Sequence, residues 1–131
     1  MIVVDTNVLA YFLMPYEFSA QAEALYARDP EWVMPIFWRS EFRNVLAGCL
    51  RRGMLNFDDI VRINSEAESL LLGNEYEVNS RRVLELVRDS DCSAYDCEFI
   101  ALGIQLGVKI VTMDRKVLKA FPQYAVAISG A

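Results

Sequence analysis

The sequence predicts an α/β fold built on a mainly parallel sheet of four or five strands, and three observations carry that prediction. Short β-branched runs, Ile2-Val3-Val4 and Val108-Lys109-Ile110-Val111-Thr112, read as strands buried on both faces. Both runs stop abruptly on polar residues, Asp5-Thr6-Asn7 in the first case and Thr112 with Asp114 in the second. Helical patterns separate the strand candidates, as the crossovers of a parallel sheet require. An acid at the carboxyl end of such a strand sits where open α/β sheets bind ligands. If the two strands are neighbours, their terminal acids lie side by side.

From the amino end, the first strand leads into a helical segment, Val8 to Leu13, closed by Pro15. Asp5 has two open roles there, as an N-cap or as a site residue. Ser19 is expected to cap a helix running to about Arg28, with Ala22, Leu25 and Tyr26 at helical spacing. Trp32-Val33-Met34, between Pro30 and Pro35, reads as the second strand. A helix from Ile36 to Arg52 ends at Gly53, with the stripe Phe37, Trp38, Phe42, Val45, Leu46 and Cys49. Glu41 lies beside that stripe, between Arg39 and Arg43, and either joins the buried face or forms a helix-surface pair.

Asn56 is expected to cap a helix through Leu72, with Asp58 and Asp59 in its first turn and Gly73 after it. Its stripe is Ile60, Ile63, Ala67, Leu70 and Leu71, which leaves Glu66 and Glu68 to solvent. Tyr76-Glu77-Val78 reads as a strand fragment, and Asn79 or Ser80 starts a helix carrying Val83, Leu84, Leu86 and Val87. Ser93 caps the next helix, which Gly107 ends. Asp96 falls in its first turn, aligned with Ile100 and Gly103 on the face that packs on the sheet, while Glu98 points to solvent. After the strand ending at Thr112, a helix with Val117, Leu118, Ala120 and Phe121 stops at Pro122. Ala125 to Ile128 is the last strand.

The totals narrow the chemistry. A chain of 131 residues with 54% hydrophobic and 24% charged residues predicts one globular domain, 1–131. The longest apolar run, Val8 to Met14, falls far short of the ~20 residues of a membrane span. It follows acids and amides where a secretory leader carries basic residues, so a cytoplasmic protein is expected. Three cysteines without a disulfide pattern agree with a reducing compartment and read as small buried hydrophobes. With no histidine, Ser-His-Asp and Cys-His catalysis and histidine metal ligation are excluded. Carboxylates with a hard metal are the main tools that remain. The net charge of −5 argues against a protein that coats nucleic acid by bulk charge.

Four motifs, in order and at family spacing, resemble the PIN-domain nucleases, most closely the small VapC-type toxins of toxin–antitoxin pairs. They are Val3-Val4-Asp5-Thr6-Asn7-Val8-Leu9, Ser40-Glu41-Phe42-Arg43-Asn44-Val45-Leu46, Ser93-Ala94-Tyr95-Asp96 with Ala101, and Thr112-Met113-Asp114. The resemblance spans nearly the whole chain. It implies a three-layer α/β/α fold and a ribonuclease dependent on Mg²⁺ or Mn²⁺. Asp5, Glu41, Asp96 and Asp114 then form the acidic cluster. Asp5, Asp96 and Asp114 are its main ligands, Glu41 orients water or completes the cluster, and Thr112 and Asn7 steady the carboxylates. The implied partners are an RNA substrate, a cognate antitoxin and a second copy in a homodimer, with no membrane.

Oxygen-only ligands suit such ions, which activate a bound water for in-line hydrolysis of a phosphodiester. Arg39, Arg43, Arg115, Lys116 and Lys119 are either phosphate contacts or charges that balance the acids. Tyr11, Phe12, Leu13, Met14, Tyr16 and Phe18 are either core or a surface for a dimer or antitoxin. An RNA-processing PIN nuclease without an antitoxin is the nearest alternative. From a different class, a Mg²⁺-binding phospho-receiver domain needs adjacent acids after the first strand, where Asp5 stands alone. A haloacid-dehalogenase-type phosphatase needs a second Asp at the position of Asn7.

Overall fold

The computed structural model describes residues 1–131. Five parallel strands form its sheet: β1 (Ile2–Val4), β2 (Trp32–Pro35), β3 (Glu75–Tyr76), β4 (Ile110–Val111) and β5 (Ala125–Val126). Their spatial order is β3-β2-β1-β4-β5. Seven helices connect them: α1 (Thr6–Leu13), α2 (Ser19–Arg28), α3 (Trp38–Arg51), α4 (Phe57–Leu70), α5 (Ser80–Arg88), α6 (Ala94–Leu106) and α7 (Arg115–Ala120). A 3₁₀ turn, Ile128–Gly130, follows β5.

Strand order fixes the layers. The path from β1 to β2 to β3 moves one way across the sheet, and the path from β3 through β4 to β5 moves the other way. Right-handed crossovers then put α1 to α4 on one face and α5 to α7 on the opposite face. The fold is therefore the expected three-layer α/β/α arrangement. The order reverses between β1 and β4, which is the switch point where ligands bind in doubly wound sheets. Val4 pairs with Val111 in register, and the Asp5 amide donates to the Val111 carbonyl at 3.2 Å. The two strands thus end together, with Asp5 beside Thr112.

Burial explains the all-apolar strands: Val3, Val4, Val33, Met34, Ile110 and Val111 have no exposed surface. Helix α6 lies against β1, β2 and β4, and Gly103 permits the approach. A Cβ there would stand 2.3 Å from Ile110 Cδ1 and 3.0 Å from the Val108 carbonyl oxygen. The three cysteines are free and buried, and no helix is long and apolar enough to cross a membrane.

Several boundaries differ from the sequence reading. Phe18, not Ser19, precedes α2 as its cap residue. The Ser19 hydroxyl instead donates to the Met14 carbonyl at 2.6 Å and accepts from the Tyr16 amide at 2.7 Å, closing the turn around Pro15. The third strand is Glu75–Tyr76 and lies earlier than the Tyr76–Val78 fragment, because its ladder partners are Met34 and Pro35. Only Ile110–Val111 of the Val108–Thr112 run is strand, and Ile128 belongs to the 3₁₀ turn. Glu68 is not simply solvated: it accepts from Arg39 at 2.7 Å, while Arg39 also pairs with Glu75 at 2.8 Å. The N-terminal rings pack largely on one another. Phe12 meets Tyr26 and Trp32 at 4.7 and 5.2 Å between centroids, and Tyr11 meets Tyr16 and Phe18 at 5.8 and 5.3 Å.

Candidate active site

All four acids singled out in the sequence fall in or just before the first turn of a helix, and the four helices start around one pocket. Asp5 is the N-cap of α1, and its Oδ1 accepts from the Val8 amide at 2.9 Å. Glu41 lies in the first turn of α3. Asp96 closes a capping box on α6, accepting from the Ser93 amide at 3.4 Å while Ser93 Oγ accepts from the Asp96 amide at 3.1 Å. Asp114 is the N-cap of α7, and its Oδ1 accepts from the amides of Lys116 and Val117 at 2.9 and 3.3 Å. Helix starts favour negative charge, so each acid has a local reason to be where it is. Capping and site formation are therefore compatible.

The pocket has a volume of about 140 Å³. Asp5, Glu41, Asp96 and Asp114 line it together with Thr6, Asn7 and Thr112, over an apolar floor of Phe99, Ile110 and Val117. The sequence reading thus brings all six of its site residues to one place. Asn7 and Asp114 are exposed, and Asp5, Glu41 and Asp96 are half-buried. No lysine or arginine lines the pocket. Arg39, a candidate phosphate contact, is held in its pairs with Glu68 and Glu75, whereas Arg43, Arg115, Lys116 and Lys119 are exposed.

Two buried threonines hold the carboxylates. Thr112 Oγ1 donates to Asp5 Oδ2 and accepts from the Asp114 amide at 3.0 Å, so one hydroxyl ties together the acids of β1 and β4. Thr6 Oγ1 donates to Glu41 Oε1, linking α1 to α3. Thr6 was missed as a site residue in the sequence. Buried to 3% exposure beside Asp5, its hydroxyl needs a polar partner, and that burial follows only from the packing of α1 against α3. Glu98 was also misjudged: it is half-buried, and its carboxyl pKa is raised by burial and further by the charge of Glu41.

The electrostatics are those of negative charge without a counter-ion. Burial pushes the Asp5 carboxyl up from 3.8 to about 6, with the charges of Glu41 and Asp114 adding to the effect against the hydrogen bonds from Thr112 and Val8. Glu41 is raised in the same direction, first by burial and then by the charge of Asp96. The donor set is carboxylate, hydroxyl and carboxamide oxygen throughout, which fits a hard divalent cation. As the side chains stand, no three acids or cysteines are gathered tightly enough to ligate one ion. Asp5 and Glu41 are turned to the threonine hydroxyls, and Asp96 and Asp114 to backbone amides.

A doubly wound α/β chain with an acidic pocket at its switch point defines the class. A family model described as PIN domain matches residues 2–124, and the chain belongs to that family. Ribonuclease VapC3 of Pyrobaculum aerophilum is 27% identical over 124 residues, covering 92% of this chain and 95% of that protein. The crystal structure of PAE2754 from Pyrobaculum aerophilum superposes with a TM-score of 0.78 at 18% identity, covering 98% of this chain and 91% of that one. A toxin–antitoxin complex from Klebsiella pneumoniae gives a TM-score of 0.71 at 16% identity and covers 98% of both chains. At those identities the two structures show a shared fold.

Proposed function

We propose that the chain is a divalent-metal-dependent endoribonuclease and the toxin of a toxin–antitoxin pair. The observation that carries this reading is the convergence of Asp5, Glu41, Asp96 and Asp114, from four separate chain segments, on one pocket without a basic residue. Family membership and the likeness to ribonuclease VapC3 support it. The likeness to a toxin–antitoxin complex agrees with a cognate antitoxin as partner.

Asp5, Asp96 and Asp114 would hold Mg²⁺ or Mn²⁺, with Glu41 completing the cluster. Bound there, the ion supplies charge neutralisation at the phosphate and a water of lowered pKa. Thr112 sets the rotamer of Asp5 and the approach of Asp114. Thr6 fixes Glu41 through Oε1, which leaves Oε2 to orient the attacking water. Because burial raises its pKa, Glu41 would take up a proton at its free Oε2 more readily than a solvated carboxylate. Asn7, exposed at the mouth, is placed to steady the substrate or the carboxylates.

Purified free of any partner, the protein is expected to cut RNA with Mg²⁺ or Mn²⁺, to stop in EDTA, and to lose cleavage in Asp96→Ala. Cleavage that survives EDTA, with Asp96→Ala equally active, rules the reading out. The toxin role and self-association as a homodimer are checked by sedimentation of the chain alone and co-expressed with the product of an adjacent small reading frame.

A further inference from the structure

Three aromatic rings lead outward from the acidic pocket. Phe99 is buried to 5% exposure and forms part of the pocket floor. Phe37, just before α3, packs edge-on against Phe99 with 5.3 Å between centroids. Tyr95 lies against Phe37 at 5.6 Å with 36° between the ring planes. It directly precedes Asp96 and is 63% exposed. A large flat ring is thus braced from beneath and left open to solvent one residue from an acid of the site.

The electrostatics of this face say what such a ring is for. The pocket is anionic, the chain carries a net charge of −5, and Arg39 is engaged by Glu68 and Glu75. Arg43, Arg115, Lys116 and Lys119 are exposed and can meet phosphates. The acidic pocket and the net charge work against long-range attraction, so an uncharged contact adds affinity beside the acids. Stacking of a nucleobase on an aromatic side chain is such a contact, tolerant of sequence and worth roughly 5- to 150-fold in affinity per base.

We propose that Tyr95, braced by Phe37, is the platform on which one unpaired base of the RNA stacks beside the acidic pocket. The inference rests on the nuclease reading and adds one substrate contact to it. An A-form duplex keeps its base faces covered, so this contact is open only to an unstacked nucleotide.

The test combines a protein change with a substrate change. Short single-stranded RNAs carry either an abasic nucleotide or 2-aminopurine at each position in turn. Cleavage is followed with Mn²⁺, and 2-aminopurine quenching is read by stopped flow before cleavage. Tyr95→Ala is expected to raise KM about tenfold and to abolish quenching at one position, whereas Tyr95→Phe keeps both. An abasic nucleotide at that same position raises the wild-type KM by a similar factor and has no further effect on Tyr95→Ala, because each change removes the same contact. Phe57→Ala, which removes a ring of similar exposure (65%) from the start of α4, is expected to change neither KM nor quenching. An unaltered melting temperature shows that Tyr95→Ala folds.

The platform is overturned if Tyr95→Ala leaves KM and quenching unchanged, or if the abasic and Tyr95→Ala effects multiply at every position. It is also overturned if Tyr95→Ala loses only the capture of a protein partner, which would assign the ring to a protein interface. In each of these cases RNA cleavage by the wild type persists and the nuclease reading stands. A wild type that cuts no RNA with either ion removes both.

Discussion

At Asp5 the two oxygens of one carboxylate have different partners: Oδ1 caps α1 through the Val8 amide, and Oδ2 accepts from Thr112. The capping oxygen explains why an acid is tolerated at the end of a buried strand. Burial, with the charges of Glu41 and Asp114 adding to it, explains why its proton is held so firmly. With the folded pKa raised to about 6 from 3.8, the native state binds more protons than the unfolded chain between those values. Metal-free stability therefore falls as pH rises from about 4 to about 6, and the contribution is fully present only below that window. Asp5→Asn keeps one oxygen to cap α1, turns an amide N–H toward Thr112 in place of the second oxygen, and removes the titration. Urea melts in EDTA at several pH values are expected to show a decline across this window in the wild type that is reduced in the variant; parallel curves would mean that Asp5 does not titrate there. Thr112→Val tests the tie between the two strand ends. It is close in shape but leaves Asp5 and the Asp114 amide without the hydroxyl, so a loss of about 1–3 kcal/mol is expected by denaturant melting, together with at least tenfold slower cleavage.

Among the elements, α6 carries the heaviest demands, since it must deliver Asp96 to the pocket while lying close on β4. Gly103 meets the second demand. Gly103→Ala is expected to push α6 off Ile110, with an overpacking cost of about 1–3 kcal/mol; a melting temperature equal to wild type would show that Ile110 simply turns aside. Much of this level was legible in the residues. Asn56 and Ser93 announced helix starts, and both form capping boxes. Gly53, Gly73 and Gly107 announced helix ends, and all three have positive φ. The acids of β1 and β4 were readable because a buried β-branched run that stops on a carboxylate has few structural excuses. Pairings between distant elements were not readable. Ser19 looked like a cap because its partner, the turn at Met14 to Tyr16, depends on how α1 ends. Arg39, Glu68 and Glu75 come from three different elements, and Glu98 meets the charge of Glu41 only once α3 and α6 are side by side. Periodicity identifies the face a residue occupies, but not which other face it meets.

At the scale of the whole molecule, strand order brings the starts of α1, α3, α6 and α7 to one edge of the sheet, and with them four carboxylates around a pocket that no lysine or arginine lines. Such a site costs stability until a cation arrives. Linkage makes the cost measurable: an ion at 100 times its dissociation constant adds about 2.7 kcal/mol, which for a domain of this size is a melting shift on the order of 10 °C. At Asp96 the capping role seen in the structure can be separated from the metal-holding role proposed above. Asp96→Asn keeps an oxygen that can accept from the Ser93 amide and removes one negative charge, so in EDTA it is expected to melt at or above wild type. Asp96→Ala loses the capping box as well and is expected to fall below Asp96→Asn by about 1 kcal/mol. If Asp96 holds the ion as proposed, both variants should lose most of the wild-type Mn²⁺ shift and both should lose cleavage. If Asp96 served the helix alone, the variants would instead keep the full Mn²⁺ shift and differ only in EDTA. Four melting comparisons, each variant with and without the ion, therefore distinguish a capping residue from one that both caps a helix and holds a metal.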